Sequence, residues 1–290
     1  MNIIKNRKLY YTISLGIIII GLVTMFVRGL NYGIDFTGGT SIQIKIGKMI
    51  IVDEAKEIVD EYDKEASIVH IGENKDEIMI RSKKDFTNDE INQIIDEFVK
   101  KYDIKKKEFQ SEKFGPFMGE EIKKKALLSS AIAIVAMLIY ISWRFEFKFA
   151  AAAIIALLHD VLVTFSVYSI FRIPVNSAFI AAILTILGYS INDTIVIFDR
   201  IREELKISPK KSLEEIINGS ISKSLTRTIN TSLTTLVAVL VFYIVGVEDV
   251  KILALPLIFG IIAGTYSSLF IASPLWYELN NKGKLKTKKA

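Results

Sequence analysis

The chain contains six long apolar stretches, each with at most one charged side chain. About 20 consecutive apolar residues are enough for a helix to cross the hydrocarbon core of a bilayer. The pattern therefore predicts a polytopic α-helical membrane protein with six transmembrane helices. The predicted spans are residues 9–27, 126–143, 149–171, 173–198, 228–247 and 252–277.

A polar segment between the first two spans alternates between strand and helix periods. Residues 39–47 place apolar side chains at every second position, which predicts a half-buried strand, and residues 51–62 repeat them at helical spacing. Two further strands, 67–72 and 77–81, flank the polar turn 73–76, an arrangement typical of a hairpin.

A second helix and a last strand complete this segment. Thr87 and Glu90 have the spacing of a capping box, followed by apolar positions at helical spacing over 91–99. A strand over 105–114 ends the series. The order β-α-β-β-α-β predicts an extracytoplasmic α+β ferredoxin-like domain over residues 31–122.

Composition supports this division of the chain. A mean hydropathy of +0.37 together with 24% charged residues excludes a single soluble globule. The pI near 9.0 suggests nucleic acid, but the basic residues cluster beside the spans, so we expect no nucleic-acid partner. The absence of cysteine excludes disulfides, and the presence of only two histidines argues against a His-rich metal site. We expect no metal or other cofactor and no enzymatic activity. The sequence contains no nucleotide-binding loop.

The distribution of Lys and Arg predicts the orientation. With a cytoplasmic N-terminus, the inner flanks carry 16 basic residues, against Arg28, Arg172 and Lys251 outside. Both termini are therefore expected in the cytoplasm. The first apolar run is interpreted as a retained anchor, since it is too long for a signal peptide and has no cleavage site. The inner flanks counted are residues 1–8, 142–148, 199–226 and 278–290.

We expect four segments along the chain. Residues 1–30 form the cytoplasmic N-terminus and first transmembrane helix, and 31–122 the outer domain. Residues 123–277 form a five-helix transmembrane domain with a cytoplasmic loop at 199–226, and 278–290 form a basic cytoplasmic tail. Within the loop, Ser212 and Glu215 suggest a capping box that starts an amphipathic helix lying on the inner membrane surface.

Three ionisable residues lie within or at the edge of predicted spans. Asp160 is at the middle of the third span beside His159, Asp193 is in the fourth, and Arg227 opens the fifth. A charge near the centre of a membrane helix costs roughly 2.5 to 3.5 kcal/mol, so such residues usually face the bundle interior and mark ion pathways. Depths along antiparallel neighbours suggest an ion pair between Asp193 and Arg227. Asp193, Arg227 and Asp160 are thus candidates for a proton relay.

Polar side chains at helical spacing accompany these residues. A stripe of hydroxyl and amide groups of this kind is able to carry water, and water carries protons; the alternative is that these groups pack helices together. Small residues at Gly260, Gly264 and Ser268 are interpreted as close helix packing. The candidate polar path comprises Asn192, Thr194, Asn230, Thr231 and Thr234.

Glycine and proline mark both junctions of the outer domain. Gly38 and Gly39 are at its entry, and Gly115, Pro116 and Gly119 at its exit. Glycine permits positive φ and proline restricts the residue before it, so we interpret these positions as hinges. The alternative is that they shape fixed turns.

Several of these residues fall in motifs that closely resemble the SecF family of the Sec protein-export machinery. The resemblance covers essentially the whole chain, and its most specific part is residues 188–202, GYSINDTIVIFDRIR. The other matching segments are residues 32–39 (YGIDFTGG), 114–119, 158–161 (LHDV) and 227–235.

The resemblance implies a function. Members of that family pair with the homologous SecD in the cytoplasmic membrane of prokaryotes, and use the proton-motive force to help draw preprotein clients from the Sec translocon channel. It also implies membership in the resistance-nodulation-division superfamily, with the family's essential aspartate at Asp193 and its paired arginine at Arg227. Besides SecD, the translocon channel and the preproteins, membrane lipid is the remaining expected partner. Alternatives are a proton-driven exporter of a lipid or small solute, and a non-transporting assembly scaffold.

Overall fold

Six helices are long and apolar enough to cross a membrane within residues 2–71, 76–103 and 109–287, the part of the chain that the computed structural model describes. For this part, the predicted number of spans is confirmed. The helices are α1 (Arg7–Arg28), α2 (Ile34–Thr37), α3 (Val52–Val59), α4 (Asn88–Tyr102), α5 (Pro116–Arg144), α6 (Phe147–Ile170), α7 (Ser177–Ile207), α8 (Leu213–Val245), α9 (Glu248–Ser267) and α10 (Ser273–Thr287). A π-helical turn over Ser268–Ala272 joins the last two.

Helices α7 and α8 are longer than their predicted spans, so most of the segment predicted as a loop at 199–226 is helical. The capping box is present: the Ser212 hydroxyl accepts a hydrogen bond from the Glu215 N–H at 3.2 Å, and the Glu215 carboxylate accepts one from the Ser212 N–H at 2.8 Å. The separate surface helix predicted after Ser212 is wrong. These residues form the first turns of α8, because Ile217 and Ile221 are fully buried in the bundle core.

A small α+β domain follows α1 and precedes α5. Its strands are β1 (Gly39–Lys45), β2 (Ser67–Ile71), β3 (Glu77–Ser82) and β4 (Phe109–Phe114), all antiparallel in the order β2-β3-β1-β4. Ile44 of β1 is opposite Ile78 of β3, and both are buried in one core with Phe98 of α4. The elements follow the predicted order. Most of the predicted turn (73–75) and the start of the predicted last strand (105–108) lie outside the described residues.

Helix α4 begins at the predicted capping box. The Thr87 hydroxyl accepts a hydrogen bond from the Glu90 N–H at 3.3 Å, and the Glu90 carboxylate accepts one from the Thr87 N–H at 2.7 Å. These bonds satisfy two of the backbone donors that a helix start otherwise leaves unpaired. The hydrogen bond from the Thr87 backbone is the main cause that lowers the pKa of the Glu90 carboxyl.

The entry to the α+β domain needs glycine for two reasons. Gly38 and Gly39 have φ values of +77° and +141°, which side-chain-bearing residues rarely adopt. A Cβ added to Gly39 would also lie 2.1 Å from the carbonyl oxygen of Ser82. The chain therefore enters the domain through a turn packed directly against β3.

The exit from the domain uses glycine differently. Gly115 is extended, with φ −68° and ψ 149°, as the residue before a proline prefers, and α5 begins at Pro116. Gly119 lets α5 approach α2 closely, since a Cβ there would lie 2.4 Å from the carbonyl oxygen of Phe36. The exit thus involves no positive φ at Gly115 and rests on close backbone packing at Gly119.

The same kind of packing joins α7 to α9. A Cβ on Gly260 would lie 2.1 Å from Cδ1 of Ile186, and one on Gly264 would lie 2.8 Å from Cβ of Ser190. The interpretation of these small residues as close helix packing is confirmed. This contact sets the distance between the helices that carry the polar residues described next.

Candidate functional site

Asp193 lies on the face of α7 that packs against α8, and its side chain is 4% exposed. Its Oδ2 accepts a hydrogen bond from the Ser232 hydroxyl at 3.1 Å, and its Oδ1 has a longer contact of 3.5 Å with the Thr231 hydroxyl. Thr265 of α9 donates in turn to the Ser232 hydroxyl at 2.7 Å. A carboxylate in an apolar bundle is thus contacted by neutral hydroxyl groups from the neighbouring helix.

Arg227 does not form the predicted ion pair. In the described part of the chain, no Arg227 nitrogen lies within 4.0 Å of the Asp193 carboxylate, and its exposed side chain lines a cavity of about 460 Å³ between the end of α7 and the start of α8. The reason is the offset along α8: Thr231 and Ser232 are at the level of Asp193, whereas Arg227 is one turn closer to the helix start. The other lining residues are Val196, Asp199, Arg200, Glu203, Lys223 and Ser224.

Asp160 is fully buried among three helices besides its own. Its Oδ2 accepts hydrogen bonds from the hydroxyls of Ser190 on α7 at 2.6 Å and Ser267 on α9 at 2.9 Å. His159 Nδ1 is 3.0 Å from the Asp160 Oδ1, and His159 Nε2 is 2.8 Å from the hydroxyl of Ser14 on α1. With Asp160 ionised, a neutral His159 donates from Nδ1 and accepts the Ser14 proton at Nε2.

The two aspartates are linked through α7. Ser190, which contacts Asp160, is about one turn from Asp193 on the same helix. Next to Asp193, the Thr194 hydroxyl is 2.8 Å from that of Ser268, which lies in the π-helical turn. Turns of this kind inside longer helices are frequent at functional sites. Hydroxyl groups therefore surround both carboxylates.

The site contains five hydroxyl residues that the sequence pattern does not predict: Ser14, Ser190, Ser232, Thr265 and Ser267. Ser232 directly follows Thr231 of the candidate polar path, which is a signal for it. Ser190 is three residues before Asp193, but it contacts Asp160 instead. For Ser14 and Ser267 the sequence contains no such signal, because they reach Asp160 and its neighbour His159 from other helices.

The residues of the candidate polar path are not all in one place. Thr194 is buried, and Thr231 contacts Asp193 from an otherwise exposed position. Asn192, Asn230 and Thr234 are exposed on the surface of this chain. Within the described ranges, no group of three or more His, Asp and Glu side chains is placed to hold a metal ion.

Six spans with buried carboxylates in their bundle define a multi-pass membrane protein with intramembrane ionisable residues, a class that includes ion-coupled transport proteins. The family model "Protein export membrane protein SecD/SecF, C-terminal" matches residues 94–282, and the "SecD/SecF GG Motif" matches residues 23–48. The chain belongs to the SecF branch of the SecD/SecF family of protein-export membrane proteins.

Relatives and solved structures agree with this assignment. The chain is 39% identical over 269 residues to the protein translocase subunit SecF of Helicobacter pylori, covering 90% of this chain and 81% of that one. The SecF of Calditerrivibrio nitroreducens is 39% identical over 291 residues, covering 98% and 95%. The crystal structure of SecDF from Thermus thermophilus, a translocon-associated membrane protein, matches with a TM-score of 0.84 and 31% identity.

The match to SecDF covers nearly all of this chain but only part of the other. It includes 97% of this chain and 39% of the SecDF chain. Family membership places the protein in the prokaryotic cytoplasmic membrane as a multi-pass subunit associated with Sec-dependent protein export. It is a translocase subunit and not an enzyme.

Proposed function

We propose that this chain works with SecD at the Sec translocon channel, and uses the proton-motive force to promote the export of preproteins. Protons pass through Asp193, and the resulting changes in helix packing move the α+β domain. The named SecF relatives, and the likeness to the structure of SecDF, support the partnership and the process.

The observation that carries the proton role is the environment of Asp193. An ionised carboxylate is costly to bury unless it is paired, and the described side chains in contact with this one are neutral hydroxyls. Each hydroxyl can donate to the ionised carboxylate or accept from the protonated one. Binding a proton therefore changes the charge at the α7–α8 contact without removing its hydrogen-bonding groups.

Arg227 has a different role from the static ion pair suggested by the sequence. Arginine stays protonated, so Asp193 is the member of the two that titrates. In this arrangement Arg227 lies one turn away at the cavity between α7 and α8. In this proposal, the positive charge of Arg227 attracts ionised Asp193 when the helices shift. The same charge repels other cations from the cavity.

Asp160 extends the proposed relay to α6 and α9. Its hydrogen bonds to Ser190 and Ser267 link α6, α7 and α9, and His159 adds α1. A change of protonation at either aspartate therefore acts on helices shared by both. One charge crossing the membrane yields about 2.3 kcal/mol per 100 mV, enough to bias a two-state bundle.

The surface of α7 and α8 supports a protein partner in the membrane. Asn192 and Asn230 are exposed on helices that cross the bilayer, where lipid tails offer no hydrogen bonds. Thr234 is exposed too, but its hydroxyl donates to the backbone oxygen of Thr231 at 2.9 Å. The two amide side chains need protein or water beside them. Helices of SecD fit this requirement, and they would complete the path from the far side of Asp193.

The α+β domain is the proposed moving part. Its strand order and its helices α3 and α4 support a ferredoxin-like fold, and the Lys and Arg distribution supports a location outside the cytoplasm, with both termini inside. Its hinges are Gly38 and Gly39 at the entry and Gly115, Pro116 and Gly119 at the exit. Gly39 packs against Ser82 of β3, and Gly119 packs α5 against Phe36 of α2, so a rotation of the domain at these junctions would act on α2 and α5.

The test compares Asp193→Asn with Asp199→Asn in vesicles that contain the chain, SecD and the translocon. Asp199 is on the same helix, but it is about 42% exposed and pairs with Arg144. We expect Asp193→Asn to abolish the stimulation of export by an imposed proton gradient, because an amide cannot titrate. Asp199→Asn should retain it. Full stimulation in the Asp193 variant would refute the proton role, and a sodium gradient tests the alternative ion.

A further inference from the structure

A second cavity, of about 360 Å³, lies between α5, α6 and α7, and neither aspartate lines it. Its lining is almost entirely apolar, and Leu127, which is 74% exposed, stands at its open side. The volume is within the range of small-molecule sites, about 300 to 1,000 Å³. Its other principal lining residues are Ser130, Ile134, Leu158, Phe165 and Ile183.

The cavity has the depth of one lipid leaflet. Along α5 it extends from Lys123 to Ile134, which corresponds to about 16 Å at the helical rise per residue. Half of the hydrocarbon core is roughly 15 Å. It lies in the half of the membrane next to the α+β domain, because α5 begins at Pro116 on that side.

Its polar end is cationic. The Lys123 ammonium is 5.0 Å from the ring centroid of Tyr32, and both residues line the cavity. Among the described side chains, Lys123 forms no ion pair. A cation and a tyrosine hydroxyl are thus placed at headgroup level, above an apolar slot.

We propose that this cavity binds a phospholipid from the leaflet on the side of the α+β domain. One acyl chain lies in the slot along α5, and the phosphate contacts Lys123. The charge of the phosphate complements the lysine, and below Lys123 and Tyr32 the lining is apolar except for Ser130, which disfavours a polar ligand.

The shape and charge of the cavity favour a lipid over a helix of a partner protein. An acyl chain that carries a phosphate at one end matches a slot of about 16 Å that ends at Lys123. The bound chain would fill the gap between α5 and the bundle. Because Gly119 packs α5 against α2 at the base of the domain, the lipid would also support the proposed exit hinge.

The test uses the full chain in nanodiscs that contain phosphatidylglycerol with a photoreactive group on one acyl chain. Illumination followed by peptide mapping should label α5 around Leu127 and Ile134. Ser130→Phe fills the slot, and its control is Ser129→Phe on the adjacent exposed position. We expect labelling to fall about tenfold in Ser130→Phe, by loss of the binding space, and to persist in the control.

The headgroup is tested with Lys123→Gln against Lys124→Gln, an exposed neighbour on the same helix that does not line the cavity. Loss of the charge-assisted contact should lower labelling about tenfold in the Lys123 variant alone. A photoreactive diacylglycerol, which lacks the phosphate, should label the unmodified chain as weakly as phosphatidylglycerol labels Lys123→Gln. Equal labelling by the two lipids, no effect of Ser130→Phe, or displacement by an excess of an extended apolar preprotein peptide would each overturn the proposal.

Discussion

The Oδ2 atom of Asp193 on α7 accepts a hydrogen bond of 3.1 Å from the hydroxyl of Ser232 on α8. This contact occupies the position that the sequence suggested for Arg227. A hydroxyl can donate to an ionised carboxylate or accept from a protonated carboxyl, whereas a guanidinium has only donors and stabilises the ionised form. The observed neighbour is therefore compatible with both states of a proton carrier.

Replacing Ser232 with alanine tests this relationship. A hydrogen bond to a charged group is worth roughly 1.5 to 3 kcal/mol, so we expect gradient-stimulated export to fall by about tenfold or more in Ser232→Ala. The matched control is Thr235→Val on the same helix, whose hydroxyl donates to the backbone oxygen of Thr231. Equal loss in the two variants would assign Ser232 to general packing instead.

Arg227 and Arg172 are expected to differ in the kind of defect that their replacement causes. Arg227 lines the cavity beside α7, whereas Arg172 donates to the carbonyl oxygens of Arg28 and Gly29 at the other end of the bundle. Arg227→Gln should remove gradient stimulation while leaving protein levels unchanged. Arg172→Gln should lower the stability of the α1 end and keep stimulation per molecule. Export and protein level measured together distinguish these outcomes, and identical behaviour would contradict the assignment.

The spans and local elements were predictable from the sequence because their causes are local. A bilayer requires long apolar helices, and the six stretches meet this requirement on their own. Each capping box involves residues three positions apart, so Thr87 and Ser212 were identified correctly. The period of two over β1 needs no knowledge of its neighbours.

The composition of the site was less predictable because it depends on which helices meet. Asp160 and its neighbour His159 draw partners from α1, α7 and α9, and no sequence spacing relates Ser14 to Ser267. The predicted ion pair between Asp193 and Arg227 is not formed, for a related reason. Depth counted along two helices ignores their relative offset, and here that offset of one turn places Thr231 and Ser232 opposite Asp193.

Gly119 should be intolerant of even the smallest side chain. A Cβ added at this position would lie 2.4 Å from the backbone oxygen of Phe36. A backbone atom cannot rotate away from such a contact as a side chain can. We expect Gly119→Ala to destabilise the α2–α5 contact by about 1 to 3 kcal/mol. Gly16→Ala, on α1 with nothing within 4 Å, should be neutral or slightly stabilising. Thermal unfolding in detergent compares the two, and an equally stable Gly119 variant would contradict the packing argument.

The proposed movement of the α+β domain predicts that locking it stops export. Val69 of β2 and Val247 before α9 line the same cleft of about 310 Å³, between the domain and the membrane helices. The native chain has no cysteine, so Val69→Cys and Val247→Cys introduce one reactive pair that a short bismaleimide or a disulfide joins. If the domain moves as a rigid body on its glycine junctions, a crosslink across this cleft should abolish gradient-stimulated export, since the hinges can no longer change their backbone angles.

Each single-cysteine variant treated in the same way serves as the control and should stay active. Reduction of the disulfide should restore export, which separates a mechanical block from damage to the fold. Undiminished export with the pair fully crosslinked would show that these junctions are fixed turns and that the domain acts without moving against the membrane.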